Sequence, residues 1–109
     1  MYLDAASAVI PTEKIRDYLL SQVHPVGRYK SVVFRALGYS ADQWPVLERD
    51  VRALLVSEAT ALEVTEHGPK YAVRGAITGP NGRTMAVFSV WIILFGETAP
   101  RFVTAYPED

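Results

Sequence analysis

Residues 84–94, Thr-Met-Ala-Val-Phe-Ser-Val-Trp-Ile-Ile-Leu, are apolar on both faces of an extended chain. Ala86, Phe88, Val90 and Ile92 share one face; Met85, Val87, Trp91 and Ile93 share the other. A strand of this kind belongs at the centre of a sheet, covered from both sides. Gly79-Pro80-Asn81-Gly82 just before it reads as a hairpin turn, with Pro presetting φ and a closing Gly that accepts positive φ. Whatever else the chain does, it must build a sheet around this segment and find two covers for it.

The flanking sequence supplies one cover. Pro11 and Thr12 open a helix whose apolar stripe is Ile15, Tyr18 and Leu19. Pro25 disfavours helix at His24, so this helix ends near Ser21 and His24-Pro25-Val26-Gly27 forms a tight link. A second helix, about Arg28 to Leu37, buries Val33, Phe34 and Leu37 and stops at Gly38 in a left-handed conformation. A third follows a short lead-in turn, with Asp42 as N-cap, so that Pro45 sits in the first turn. Its stripe is Trp44, Leu47, Val51, Leu54 and Leu55, ending near Ser57.

The period then changes to two. Leu62 and Val64 alternate with polar residues, and His67-Gly68-Pro69 turns the chain into a strand with Tyr71, Val73 and Ile77 on one side and Lys70, Arg74 and Thr78 on the other. The last strand is Arg101-Phe102-Val103-Thr104-Ala105-Tyr106, stopped by Pro107, with Glu108-Asp109 as a frayed tail. Runs of helices followed by runs of strands predict an α+β domain, with three N-terminal helices packed on one face of a four-stranded antiparallel meander. Residues 1–109 form one domain: an extended N-terminal arm (1–9), a helical part (11–57) and a sheet (60–107). The second sheet face needs the arm, a second copy of the chain or another protein.

Composition narrows the chemistry. The absence of cysteine excludes disulfides, thiolate metal sites and Cys nucleophiles. No secretory leader or membrane-length apolar run is visible, so the expected location is cytoplasmic. No cofactor loop or metal-ligand spacing is present, and none of either is expected. Net charge is −1, but Arg28, Lys30 and Arg35 form one basic segment and Lys70, Arg74, Arg83 and Arg101 another, on either side of an acidic one.

The candidate site residues follow from this list. His24 supplies an imidazole, the side-chain type suited to proton transfer near neutral pH, although a histidine beside proline also serves as a turn residue bonded to backbone. Arg28 and Lys30 can bind phosphate or pair with the acids of the third helix. Thr104 and Tyr106, two apart on a strand, face the same side. If that side also carries Lys70 and Arg74, one face gathers cations, a hydroxyl and a phenol. His67 reads as a turn residue.

The motifs His24-Pro25-x-Gly27-Arg28-x-Lys30, Phe34, Leu37-Gly38, Trp91-Ile92-Ile93, Arg101 and Thr104-Ala105-Tyr106-Pro107 together resemble a bacterial domain-of-unknown-function family over nearly the whole chain. More distantly, helices before a four-stranded antiparallel sheet, a His in the helical part and a Thr-x-Tyr pattern on the last strand resemble the barnase–EndoU–colicin D–RelE superfamily of ribonuclease toxins. The net charge departs from the basic character of many such toxins. The second resemblance implies metal-independent RNA cleavage as one half of a toxin–antitoxin pair. In it His24, Thr104 and Tyr106 are the catalytic group, and Arg28, Lys30, Lys70, Arg74 and Arg101 bind phosphate. A small antitoxin, or a second copy of the chain, would be the protein partner. The competing reading is a non-catalytic antitoxin, immunity or assembly module that binds protein through its sheet.

Overall fold

The computed structural model describes residues 1–25 and 27–108. Four antiparallel strands, β1 (Ala59–Val64), β2 (Pro69–Thr78), β3 (Thr84–Ile92) and β4 (Arg101–Pro107), pair in sequence order. Three helical elements precede them: α1 (Thr12–Lys14), which continues into a π-helical turn (Ile15–Leu19), then α2 (Gly27–Ala36) and α3 (Trp44–Ala53). The fold is therefore a mixed α+β arrangement around a four-stranded antiparallel meander, with helices before strands.

The doubly apolar strand is central, between β2 and β4. Val73, Ile77, Val87, Trp91, Phe102 and Ala105 belong to the same buried cluster as Ile15, Leu19, Phe34, Leu37, Leu47 and Val51. Trp91 is fully buried within the chain, whereas Met85 and Ile93 are only partly buried. A polar pair interrupts the apolar packing at the centre of the sheet. Ser89 Oγ donates to Val73 O at 2.7 Å and accepts from Trp91 Nε1 at 3.0 Å, so the indole N–H is satisfied.

Several local expectations are corrected. The N-terminal arm is anchored: Leu3, Ala8 and Ile10 are buried, and Val9 makes a parallel bridge to Arg101 at the β4 edge. Arg52 fixes the arm by donating to Ala5 O and Ala8 O at 2.8 and 2.7 Å. Asp42 does not cap the third helix. It lies in a 3₁₀ turn (Ala41–Gln43), and Gln43 is the N-cap, with no side-chain capping bond. Pro45 lies in the first helical turn and removes one of the N–H groups that a cap would bond. Strand β1 buries only Ala59; Leu62 and Val64 are exposed, because the strand lies at the sheet edge. Glu108 is not frayed: its N–H donates to Ala86 O at 2.9 Å. Asp109 lies outside the described residues, as does Val26 in the link after His24.

The first helix departs from α-geometry where it matters. Leu20 N–H bonds Ile15 O at 3.0 Å, a five-residue return. The wider turn lets Ile15, Leu19 and Leu20 all reach full burial. Arg35 then donates to Leu20 O at 2.7 Å, tying α2 to the end of that turn. At its other end α2 stops at Gly38, with φ +98°. The hairpin turn caps it there: Asn81 donates through its side chain to Ala36 O (2.8 Å) and through its backbone to Leu37 O (3.2 Å).

Candidate functional site

Strand register decides which side chains meet. Lys70, Ile92 and Arg101 align across β2, β3 and β4; Ala72, Val90 and Thr104 form the next row; Arg74, Phe88 and Tyr106 form the third. Aligned partners share a face. The cations of β2 and the hydroxyl and phenol of β4 therefore lie on one side of the sheet, opposite the side that carries Val73, Val87 and Trp91. A bulge makes this possible on β4. Register shifts between Trp91↔Phe102 and Val90↔Thr104, leaving Val103 as the extra residue. Without it Arg101 and Thr104, an odd number of residues apart, would point to opposite faces. Lys14 Nζ donates to Val103 O at 3.1 Å, satisfying the carbonyl at the bulge.

The helical residues reach this face across the β4 edge. Lys30 Nζ donates to Thr104 Oγ1 at 2.6 Å and to Tyr18 OH at 2.7 Å, and sits 5.6 Å from the centroid of the Tyr106 ring. The His24 ring meets the Tyr18 ring edge-on, with centroids 4.9 Å apart. Its place is set by a serine turn: Ser21 Oγ accepts from the N–H groups of Val23 and His24 at 3.2 and 3.0 Å. Burial pushes the Tyr18 phenol upward, but its bonds to Lys30 and Thr104 and the charges of Lys30 and Lys14 outweigh this and hold it below its ordinary value. The cluster thus joins a cation, an alcohol, an acidified phenol and an imidazole.

The third row extends it. The Phe88 and Tyr106 rings stack at 5.1 Å with 25° between planes, and the Arg74 guanidinium lies 5.1 Å from the Phe88 centroid. Glu108 pairs with Arg74 at 2.8 Å. At the other end of the face Lys70 lies 3.9 Å from Glu63 and Arg101 lies 3.0 Å from Glu97. Lys30 binds the two hydroxyls rather than an acid of α3. Arg28 is exposed at the start of α2, and its backbone N–H bonds His24 O at 3.1 Å. His67 sits in the β1–β2 turn, 3.3 Å from Glu66. Among the described residues no three His, Asp or Glu side chains are grouped to hold a metal ion, and no helix is long and apolar enough to cross a membrane.

A family model described as Domain of unknown function (DUF6883) matches residues 2–109. The chain belongs to this family. No curated protein matches it. Among solved structures, a chain of the contact-dependent growth inhibition toxin–immunity protein complex from Klebsiella pneumoniae 342 has the same fold. The TM-score is 0.72, with 92% of this chain and 99% of that chain covered, at 15% sequence identity.

In this DUF6883 domain two residues of the site escaped the sequence reading. Tyr18 falls on the helical stripe of Ile15 and Leu19, so periodicity alone assigns it to the core. Only the π turn, which periodicity does not reveal, separates it from the buried residues and brings its hydroxyl to Lys30. Phe88 falls in a run of apolar residues in the middle of β3, and only the register that sets it beside Tyr106 on β4 reveals the pair.

Proposed function

We propose that this DUF6883 domain is the toxin of a toxin–immunity or toxin–antitoxin pair, acting in the cytoplasm as a ribonuclease that uses its own side chains for acid–base chemistry. The observation that carries this reading is the Lys30 Nζ bond to Thr104 Oγ1, which joins the helical and strand halves of the candidate site. The shared fold with a chain of a growth-inhibition toxin–immunity complex supports it. In this reading the helices cover one sheet face and leave the other to RNA, and then to a neutralising protein.

The chemistry follows from the groups present. A ribose 2′-hydroxyl gives its proton to a base and attacks the adjacent phosphorus; the P–O5′ bond breaks, and an acid protonates the departing 5′-oxygen. The products are a 2′,3′-cyclic phosphate and a 5′-hydroxyl. His24 serves as one proton-transfer group, with a geometry that reaches the cluster through Tyr18. Tyr18, with its phenol acidified by Lys30, is suited to the other role. Lys30 and the Thr104 hydroxyl stabilise charge on the non-bridging oxygens, and Arg28 adds positive charge at the start of the same helix. Tyr106 borders the site and contacts the base side of the nucleotide. Lys70 and Arg101 lie one row beyond, where they hold flanking phosphates.

A second reading has its own observation. Arg74, Lys70 and Arg101 each already face an acid of the same chain, which suits a surface that binds a protein rather than a polyanion. Expression without a partner separates the two. The ribonuclease reading expects growth arrest from the wild type, relieved by His24→Ala and weakened by Tyr106→Phe, with both variants folded by circular dichroism. Harmless wild-type expression, with a co-purifying toxic partner, would instead make this chain the neutralising member.

A further inference from the structure

Two lysines at the β4 edge differ from most cations of the chain. Arg16, Arg49, Arg52, Lys70, Arg74 and Arg101 each pair with a carboxylate. Among the described residues Lys14 and Lys30 pair with none; their ammonium groups meet neutral oxygens instead. Lys30 has a task in the ribonuclease reading, and Lys14 has none. Yet Lys14 is half-buried, with its Nζ 3.1 Å from Val103 O.

The placement of that bond is specific. Lys14 ends α1, and Tyr18 follows four residues later in the π turn. Residues four apart lie on one side of a helix. Lys14 bonds Val103, and Tyr18 meets Lys30, which bonds Thr104. Helix and strand are thus matched at two consecutive β4 residues. Val103 is also the bulged residue, inserted between the Trp91↔Phe102 and Val90↔Thr104 pairs. Were the bulge lost, Thr104 would pair opposite Ser89 instead, and its hydroxyl would turn to the buried side of the sheet. A carbonyl at a sheet edge is satisfied equally well by water, so hydrogen bonding alone does not call for a lysine here. What a lysine adds is a fixed point and a charge.

Resting on the ribonuclease reading, we propose that Lys14 is a positioning residue of the candidate site: its bond to Val103 O pins the β4 bulge that sets Thr104 beside Lys30, and its charge joins that of Lys30 in the field at the Tyr18 hydroxyl. Lys14 touches no reacting atom and acts through Thr104 and Tyr18. The groups around the Tyr18 phenol are few. Lys30 faces it from α2, Lys14 from α1, the uncharged Thr104 hydroxyl from β4, and the His24 ring lies edge-on from the link. Both ammonium groups favour the ionised phenol, Lys30 more strongly.

The test compares the full-length wild type with Lys14→Met, Lys14→Arg and Lys14→Gln. Two readouts need no RNA. In an ultraviolet difference titration, with the Tyr18 step assigned by its loss in Tyr18→Phe, Lys14→Met should move that step upward, by less than Lys30→Met does. Lys14→Arg, which keeps the charge, should leave it in place. Cross-strand nuclear Overhauser contacts between Val90 and Thr104 report the register; they should weaken in Lys14→Met and persist in Lys14→Arg. With RNA as substrate, Lys14→Met should lower kcat about tenfold while KM stays within about twofold, and Lys14→Arg should recover most of the loss. Should Lys14→Met fail to fold, Lys14→Gln, which keeps a donor for Val103 O without the charge, must still raise the Tyr18 step. A Tyr18 step or a Val90–Thr104 contact that is unchanged in folded Lys14→Met would overturn the positioning role and leave the ribonuclease reading standing. Both readouts changed, with no cleavage of RNA by the wild type, would overturn the ribonuclease reading and leave Lys14 as the residue that sets the cluster.

Discussion

Tyr18 shows how little room a single side chain needs to change role. It lies one residue from Leu19, which is fully buried, yet its hydroxyl meets Lys30 at 2.7 Å. Its lowered phenol pKa is directly measurable. In an ultraviolet difference titration one tyrosine ionises below the usual value near 10, and Lys30→Met moves that step upward. A depressed folded-state pKa adds stability that grows as pH rises through the folded value and is complete above the unfolded one, so the shift at Tyr18 stabilises the fold on the alkaline side. Ser89 is the converse case, a polar residue with a structural task. Ser89→Ala removes the acceptor of Trp91 Nε1 and leaves a fully buried indole N–H unpaired. The expected loss is about 1–3 kcal/mol in urea unfolding, with no change in activity of the folded fraction. His24, Lys30, Thr104 and Tyr106 were legible as candidates in the sequence, as an imidazole, a cation, an alcohol and a phenol, and the structure brings Lys30 to Thr104 and Tyr106. Tyr18 and Phe88 were not, since an aromatic on an apolar stripe or in an apolar strand reads as packing.

At the scale of elements, the β2–β3 turn and the end of α2 form one unit. Asn81 caps α2, and a Cβ placed on Gly79 would lie only 2.1 Å from Leu37 O. Gly79→Ala must therefore push the hairpin away from the helix. It should cost at least about 2 kcal/mol, read as a lower denaturant midpoint. Asn81→Ala loses the capping bond to Ala36 O and the turn bond that Arg83 N–H donates to Asn81 Oδ1, about 1–2 kcal/mol for two exposed bonds. If Gly79→Ala cost less than Asn81→Ala, the close approach would be wrong. The alternation of period from helix to strand made all of these elements readable, and the turn glycines marked their ends. The bulge at Val103 and the π turn were invisible, since each depends on what lies across from it. Those two irregularities also align Thr104 with Val90 and bring Tyr18 to Lys30, so the site rests on the features a periodic reading omits.

Across the whole molecule, the helical half and the sheet half meet through a few polar links besides the shared core. Tyr39 is one of them. It is buried, donates to Asp50 Oδ2 and lies 3.4 Å from Thr78 O, connecting α3 to β2. Burial, and then the hydrogen bond and negative charge of Asp50, push its phenol well above the usual value. A raised folded-state pKa means its contribution is complete below about pH 10 and is lost as pH rises further, because the unfolded chain ionises first. Stability should thus fall on the alkaline side above pH 10. Tyr39→Phe should remove most of that fall, while costing about 1–2 kcal/mol at neutral pH for the lost charge-assisted bond. An alkaline limb unchanged in Tyr39→Phe would assign the fall to other groups. The order of helices and strands was evident from the sequence, and so was the central place of β3. Which residues stand on its second face was not, because strand register fixes that.

The central claim is that the Lys30–Thr104–Tyr18 cluster, with His24 beside it, cleaves RNA. Its most direct test is incubation of purified protein with an end-labelled RNA, followed by identification of the new ends. The account predicts fragments ending in 2′,3′-cyclic phosphate and 5′-hydroxyl. Cleavage should fall at least a hundredfold in folded Lys30→Met and His24→Ala, and disappear at any position whose ribose is 2′-deoxy. Cleavage that persists at a 2′-deoxy position, or that is undiminished in Lys30→Met, would contradict it.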